Sequence, residues 1–90
     1  NWSKYYGING AKVSSGDTVD IVLGESIVLY TKITEQDKSP DAGSVKETVE
    51  ITQEYYDNGF TRTHKVSVKE DMGRYAGNKA VWTVIYTFVP

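Results

Sequence analysis

The residues best suited to chemistry lie in the stretch EYYDNGFTRTHK, residues 54–65. It holds a carboxylate, Glu54, beside Tyr55, an arginine, Arg62, and the only histidine of the chain, His64. An imidazole that titrates near neutrality can transfer protons as a general acid or base. Acid–base catalysis is therefore the chemistry that these side chains would suit, provided that the backbone brings them together.

The backbone of this stretch is predicted to form a β-hairpin that turns at Asn58 and Gly59. Asn-Gly between two alternating segments is the strongest short-range hairpin signal, because a type I′ turn needs positive φ at both central positions. A two-residue turn fixes which residues of the two strands face each other. The expected partners are Tyr55 with Arg62, Gln53 with His64, Ile51 with Val66, and Val49 with Val68.

This predicted hairpin separates the acid from the histidine. Side chains alternate between the two faces of a strand, so Glu54 is expected on the face opposite His64. The cluster resembles small secreted ribonucleases, in which a carboxylate, an arginine and histidines on an antiparallel sheet cleave RNA, and the resemblance implies that activity. With one histidine and a separated carboxylate, we expect no catalytic residue and no enzyme, and a ribonuclease-like enzyme is the third interpretation of function.

Length and composition predict one folded domain over residues 1–90. A chain of 90 residues that is 39% apolar can bury one thin core but cannot form two. Ten Lys and Arg against twelve Asp and Glu give a net charge of −2 without a basic patch, so nucleic acid is not an expected partner. Cysteine is absent, and Asp37 and Asp41 suit turns better than a calcium loop, so neither a metal nor a cofactor is expected.

The location of the protein is predicted from its apolar segments and its first residue. No apolar run approaches the roughly 18–20 residues that are needed to cross a bilayer, so no transmembrane segment is expected. The chain starts at Asn1 without an initiator methionine and shows no hydrophobic signal-peptide segment, which fits a processed secreted protein or a trimmed chain. We therefore expect an extracytoplasmic protein, secreted or on the cell surface.

Alternation of apolar and polar residues with a period of two predicts an all-β fold, a single antiparallel β-sandwich of six or seven strands. Residues 17–23 are predicted to be a half-buried strand, and residues 80–89, which are apolar on both faces, a central strand. Residues 1–10 fit either a short edge strand or an ordered arm. The stretch from Gln36 to Ser44 breaks the pattern and is predicted to be a mobile, exposed loop. A further strand, residues 25–34, is expected to place Ile27, Leu29, Thr31 and Ile33 on one face, and it sets these residues opposite Ser26, Val28, Tyr30 and Lys32.

Two motifs resemble immunoglobulin-like domains. The stretch VLGESIVLYT resembles the turn into the second strand of that family, and EDMGRY resembles its tyrosine corner, carried here by Asp71, Gly73 and Tyr75. The resemblance implies a β-sandwich with immunoglobulin topology. Thr31 and Gly77 stand where the paired cysteines of the family would fall.

Aromatic residues are the feature of this composition that points to function. Two tryptophans and seven tyrosines are more than a core of this size needs, so some of them are expected at the surface. Trp2, Tyr5, Tyr6 and Tyr56 are the predicted contact residues, with the loop from Gln36 to Ser44 as a second candidate. We expect a non-catalytic binding or interaction module for a protein or glycan ligand. The alternative is a secreted effector, toxin, antimicrobial or inhibitor protein.

Overall fold

The computed structural model describes residues 1–36, 40–70 and 77–90. Every strand pairing in these residues is antiparallel, and the one helix they contain is short, so the all-β prediction is confirmed. The elements in chain order are β1 (Trp2–Ile8), β2 (Ala11–Lys12), β3 (Ser26–Glu35), β4 (Asp41–Glu50), α1 (Gln53–Asn58), β5 (Phe60–Lys69) and β6 (Lys79–Phe88).

The described strands form two sheets. The larger has the strand order β2-β1-β3-β4, and the smaller consists of β5 and β6. Side chains alternate between the two faces of each strand, and the faces that the sheets turn toward each other, here called the inner faces, hold the core. The buried apolar residues of this core are Ile8, Ile27, Leu29, Ile33, Val49, Ile51, Phe60, Val66, Val68 and Tyr86.

The segment from residue 25 to 34 behaves as predicted. It lies in β3, which is bonded on one side to β1 and on the other to β4. Its inner face packs against residues of the other sheet, with Leu29 in the same cluster as Phe60 and Ile33 in the same cluster as Val66. The four residues predicted to share one face, Ile27, Leu29, Thr31 and Ile33, are all buried on this inner face.

The predicted hairpin at Asn58 and Gly59 is wrong, because Asn58 is the last residue of α1. Thr52 caps the start of this helix, where its Oγ1 accepts a hydrogen bond from the Tyr55 N–H at 3.2 Å. Gly59 ends the helix with a φ of 78° and donates its N–H to the Tyr55 carbonyl oxygen at 3.0 Å. A glycine with positive φ terminates a helix as readily as it closes a type I′ turn, so the same dipeptide serves either structure.

The strands on the two sides of α1 consequently lie in different sheets. β4 pairs with β3, whereas β5 pairs with β6. The residues predicted to face Tyr55, Gln53, Ile51 and Val49 take other partners, as follows: Arg62 faces Tyr86, His64 faces Val84, Val66 faces Trp82, and Val68 faces Ala80.

A two-residue Asn-Gly turn does occur, but at Asn9 and Gly10. These residues have φ values of 51° and 83°, and they join Ile8 of β1 to Ala11 of β2. Positive φ at both central positions is the requirement of a type I′ turn. The opening segment is therefore a strand, and it lies between β2 and β3 instead of forming a free arm.

The predicted strand at residues 17–23 is also wrong. The segment is bounded by turns, in which the Asp17 N–H bonds the Ser14 carbonyl and the Glu25 N–H bonds the Val22 carbonyl. The short span between these turns joins no ladder. Its alternation serves packing instead, since two apolar side chains cover one end of the core, those of Val19 and Ile21.

β6 is a strand, as predicted, but it is not central. Among the described strands it pairs with β5 alone. Its inner face packs into the core as expected, through Trp82, Val84, Tyr86 and Phe88. The opposite face is exposed at Val81 and Ile85.

Two further predictions concern segments that are partly or wholly undescribed. β4 begins at Asp41, so the predicted loop from Gln36 to Ser44 is wrong from Asp41 onward, and residues 37–39 lie outside the described residues. The tyrosine-corner motif, with Asp71, Gly73 and Tyr75, also lies outside them.

Candidate functional site

Five polar side chains from four strands meet between the two sheets. They are Thr31 of β3, Glu47 of β4, Arg62 and His64 of β5, and Tyr86 of β6, and together they are called the inter-sheet cluster. His64 Nε2 lies 3.0 Å from Glu47 Oε1. Arg62 Nε donates to Glu47 Oε2 at 3.0 Å, and Arg62 Nη2 contacts the same oxygen. One carboxylate thus joins the two basic side chains.

A chain of hydroxyl groups continues from the other side of the imidazole. Thr31 Oγ1 lies 2.8 Å from His64 Nδ1 and 2.8 Å from the Tyr86 hydroxyl. The Tyr86 hydroxyl donates its hydrogen to the Tyr30 carbonyl oxygen at 2.9 Å. Since that hydrogen is in use, Thr31 must donate to Tyr86 and accept from His64 Nδ1–H.

Both ring nitrogens of His64 therefore have a hydrogen-bond partner within the cluster. Nδ1 donates to Thr31, and Nε2 faces the carboxylate of Glu47, which accepts when it is ionised. Neither ring nitrogen is then left without a partner in the protein. The ring is also 98% enclosed, with 2% of its residue surface exposed, so a substrate has no direct access to it.

The ionised form of Glu47 is favoured by its surroundings. The hydrogen bond from Arg62 lowers the pKa of this carboxyl most strongly, partial burial raises the pKa, and the hydrogen bond from His64 lowers it again. The net result is a pKa below the ordinary value of 4.5. At the other end of the cluster, burial raises the pKa of Tyr86 above 10.0, which keeps its hydroxyl protonated and able to donate.

The carboxylate that meets His64 is therefore Glu47, which the sequence reasoning missed. Glu54 lies exposed on α1, and the side chains that bond His64 are Thr31 and Glu47, so the hairpin argument about Glu54 is wrong. The signal for Glu47 is its position between Val45 and Val49, on the inward side of an alternating strand. A carboxylate at such a position needs a charged or hydrogen-bonding partner in the opposite layer.

Replacing Glu47 with Gln is expected to destabilise the fold by about 1–3 kcal/mol near pH 7, because the buried His64 loses a charged partner. The folded-state pKa of Glu47 lies below its ordinary value of 4.5, so the carboxylate stabilises the fold above that value. This contribution is lost as the pH falls through the lowered folded-state pKa. Urea unfolding from about pH 7 to about pH 3 should show the difference from wild type shrinking in acid.

The matched control is Glu50→Gln, at an exposed position of the same strand. If the difference in free energy of unfolding between Glu47→Gln and wild type stayed constant with pH, the ionic role of Glu47 would be contradicted.

The predicted aromatic contact residues do not share one surface. Tyr5 and Tyr6 are neighbours in β1 and face opposite sides of the sheet. Tyr6 packs toward the core, with its ring centroid 6.4 Å from that of Tyr86. Trp2 is 39% exposed and meets Trp82 edge to face at 5.1 Å. Tyr56 is 48% exposed on α1, in a different part of the chain.

Tyr5 instead belongs to a groove on the outer face of the four-stranded sheet. Its ring centroid lies 5.9 Å from that of Tyr30 at an angle of 60°. Gly7 makes room for this arrangement, because a Cβ at that position would lie 2.8 Å from the Tyr5 ring. The groove is shallow and open, encloses about 430 Å³, and is lined by Ser3, Tyr5, Tyr30, Lys32 and Thr34.

Comparison with known proteins finds no family model, no curated protein and no solved structure that matches this chain. In the described ranges, no three His, Asp or Glu side chains gather closely enough to hold a metal ion. The helix that these ranges contain is too short and too polar to span a bilayer. The fold and the site therefore define a small all-β domain, and its function has to be inferred from its own surface.

Proposed function

We propose that this protein is a non-catalytic, extracytoplasmic binding module that holds a glycan in the groove lined by Tyr5 and Tyr30. The observation that carries the proposal is the pair of tyrosine rings, 5.9 Å apart and tilted by 60°, on an exposed sheet face. Aromatic rings with a polar tip combine apolar contact with hydrogen bonding, which suits a ligand that presents C–H groups on one side and hydroxyls on the other.

The other groove residues fit the same ligand class. The register of β1 and β3 places Tyr5 opposite Lys32 and Ser3 opposite Thr34, so hydroxyl and ammonium groups flank the rings. These groups can donate to sugar hydroxyls, whereas a buried apolar pocket for a hydrophobic ligand would lack them. Of the four predicted contact residues, Tyr5 is the one at the centre of this proposal. Trp2 lies at the edge of the opposite face, and Tyr56 serves as a control.

The inter-sheet cluster supports a binding role over an enzymatic one. Both nitrogens of His64 are occupied, by Thr31 and by Glu47, and the carboxylate of Glu47 is held in turn by Arg62. A general base needs a free lone pair within reach of a substrate. The cluster is better suited to fixing the position of the two sheets relative to each other, since its members come from four strands.

We also propose that the two sheets form the layers of one β-sandwich domain over residues 1–90, with the immunoglobulin-like character that the sequence motifs imply. Each of the two clusters of buried apolar residues contains side chains from both sheets, such as Leu29 with Phe60, and Ile33 with Val66. Gly24, with a φ of 86°, makes the turn just before β3, where the first motif places it.

A panel of neutral oligosaccharides and cell-wall fragments, titrated against isotopically labelled protein by NMR, tests the glycan proposal. Shifts are expected to centre on Tyr5, Tyr30 and Lys32, and Tyr5→Ala should weaken binding by about tenfold or more through loss of one ring. The matched control is Tyr56→Ala, which removes an exposed tyrosine from α1 and should leave affinity unchanged. Perturbations that map elsewhere, or binding that survives Tyr5→Ala, would contradict the proposal.

A ribonuclease-like enzyme is the second candidate, favoured by the meeting of Glu47, Arg62 and His64. Incubation of the folded protein with RNA is expected to give no cleavage above buffer. Cleavage that Arg62→Lys abolishes, in a variant whose circular dichroism matches wild type, would replace the binding proposal. The cluster would then have to open in solution to admit the substrate.

A further inference from the structure

β6 offers a long backbone edge to solvent. Among the described strands it bonds to β5 alone, along ten residues from Lys79 to Phe88. Just before this ladder, the Glu70 N–H donates to the Asn78 carbonyl oxygen at 2.8 Å. In an antiparallel pair the bonded positions alternate, so the even-numbered residues of β6 direct their N–H and C=O groups toward β5. The odd-numbered residues direct theirs to the open edge.

The same odd-numbered residues carry the outward side chains, and these are apolar at every second site. Val81 and Ile85 are 55% and 61% exposed, and Val89, one residue beyond the end of β6, is 81% exposed. Thr83 and Thr87 lie between them. Edge strands in soluble proteins are commonly protected by an inward charge, a proline or a bulge. Between Ala80 and Val89 the sequence has no charged residue and no proline, so this edge lacks that protection.

The pattern along this edge is complementary to itself. In an antiparallel pairing of two β6 strands about a two-fold axis at Ile85, each Ile85 faces its own counterpart. Thr83 then faces Thr87 of the partner subunit, and Val81 faces Val89 of the partner subunit. Every residue with outward N–H and C=O groups therefore meets another such residue, which satisfies the ladder. A slip of the axis by one residue to position 84 would set Val81 and Ile85 against threonines.

The charges of this strand are compatible with the same register. Lys79 is the one charged residue of β6, and it lies at the start of the strand. The pairs about Ile85 run from Val81 to Val89, so Lys79 lies outside the paired span and does not face the Lys79 of the partner subunit. A closed two-fold interface is the commonest arrangement of two identical chains.

We propose that two copies of this protein associate through their β6 edges, in the register that pairs Ile85 with itself, to form a continuous four-stranded sheet β5-β6-β6-β5. The dimer presents two outer-face tyrosine grooves, one from each copy, but its formation does not depend on their ligand.

The first test is the mass of the protein in solution as a function of concentration, measured by sedimentation equilibrium. A mass that rises to twice 10.1 kDa is expected for wild type. Ile85→Lys sets two charges against each other at the axis and should raise the dissociation constant at least about tenfold. The matched control is Val22→Lys, an exposed apolar residue away from β6, which should dimerise like wild type. Wild type that stays monomeric up to about 1 mM, or a dimer that Ile85→Lys leaves intact, would overturn the proposal.

The register itself is tested by a single cysteine, since the chain has none of its own. Paired residues across an antiparallel ladder have Cα atoms about 5.5 Å apart, which a disulfide can bridge. Ile85→Cys should therefore form a covalent dimer under mild oxidation, whereas Thr63→Cys, on the outer face of β5, should remain monomeric under the same conditions. A covalent dimer from Thr63→Cys but not from Ile85→Cys would refute the proposed axis.

Discussion

Leu29→Ala is expected to lower the free energy of unfolding by about 3–5 kcal/mol, which is a large part of the stability of a domain of this size. Leu29 is fully buried on the inner face of β3, and it packs in the same cluster as Ile8 and Phe60. Removing its side chain leaves a cavity. Because β3 is hydrogen-bonded to β1 on one side and β4 on the other, the backbone cannot move in to fill this cavity. Equilibrium unfolding in urea, followed by circular dichroism, measures the loss.

The matched control for Leu29→Ala is Val22→Ala, because Val22 is exposed in the segment between β2 and β3. It should change the free energy of unfolding by less than about 0.5 kcal/mol. If both variants lost the same amount, the position of the core between the two sheets would be wrong.

Gly43→Ala is expected to cost about 3 kcal/mol or more, although the substitution adds a single methyl group. Gly43 lies opposite Ile33 in the ladder of β3 and β4, on the face turned toward β5. A Cβ at this position would overlap the carbonyl oxygen of Ser67 and lie 3.2 Å from Val66 Cγ1. The obstacle is backbone, which cannot rotate away, so β4 and β5 must separate.

The control for Gly43→Ala is Ser44→Ala, one residue along β4 on the exposed face. Its effect on unfolding should be within about 0.5 kcal/mol of zero. A Gly43→Ala variant as stable as wild type would mean that the two sheets lie farther apart at this point than the structure places them. Hydrogen exchange of the Val66 and Ser67 amides would locate any loosening.

The alternation in β3 was sufficient to predict which residues share a face, because side chains switch sides at every residue of a regular strand. Burial of the face with Leu29 is set by the opposite sheet. For β6 the same kind of pattern was misleading. Apolar residues on both faces predict a strand covered on both sides, but Val81 and Ile85 are exposed. The sequence of one chain cannot state whether a covering layer comes from the same chain or from another.

The two Asn-Gly dipeptides show why local signals fail. At Asn9 the turn has positive φ at both residues, whereas at Asn58 positive φ is confined to Gly59. The second outcome depends on contacts distant in sequence. Tyr55 on α1 stacks on Phe60 at 4.6 Å, and Phe60 stacks on Phe88 at 4.3 Å. The helix places Tyr55 on this stack. A turn rule that considers only neighbouring residues cannot predict that contact.

The sequence was sufficient to predict the two residues that β5 contributes to the candidate site. It was not sufficient to predict the geometry of the site. Arg62 and His64 were identified from their residue types, but their carboxylate partner comes from a different sheet. Sequence spacing relates residues within one hairpin, while Glu47 approaches through the packing of β4 on β5. Pairing across layers is a tertiary property that alternation alone does not encode.

The edge-to-face contact between Trp2 and Trp82 joins the first strand of the chain to the last, across two sheets that share no ladder there. The two indole rings lie 5.1 Å apart, close enough for their electronic transitions to couple, and we expect a pair of bands of opposite sign in the far-ultraviolet circular dichroism. This signal would report whether β1 and β6 remain in contact through Trp2 and Trp82. If that signal disappears before the β-strand signal does, the contact between β1 and β6 breaks early in unfolding.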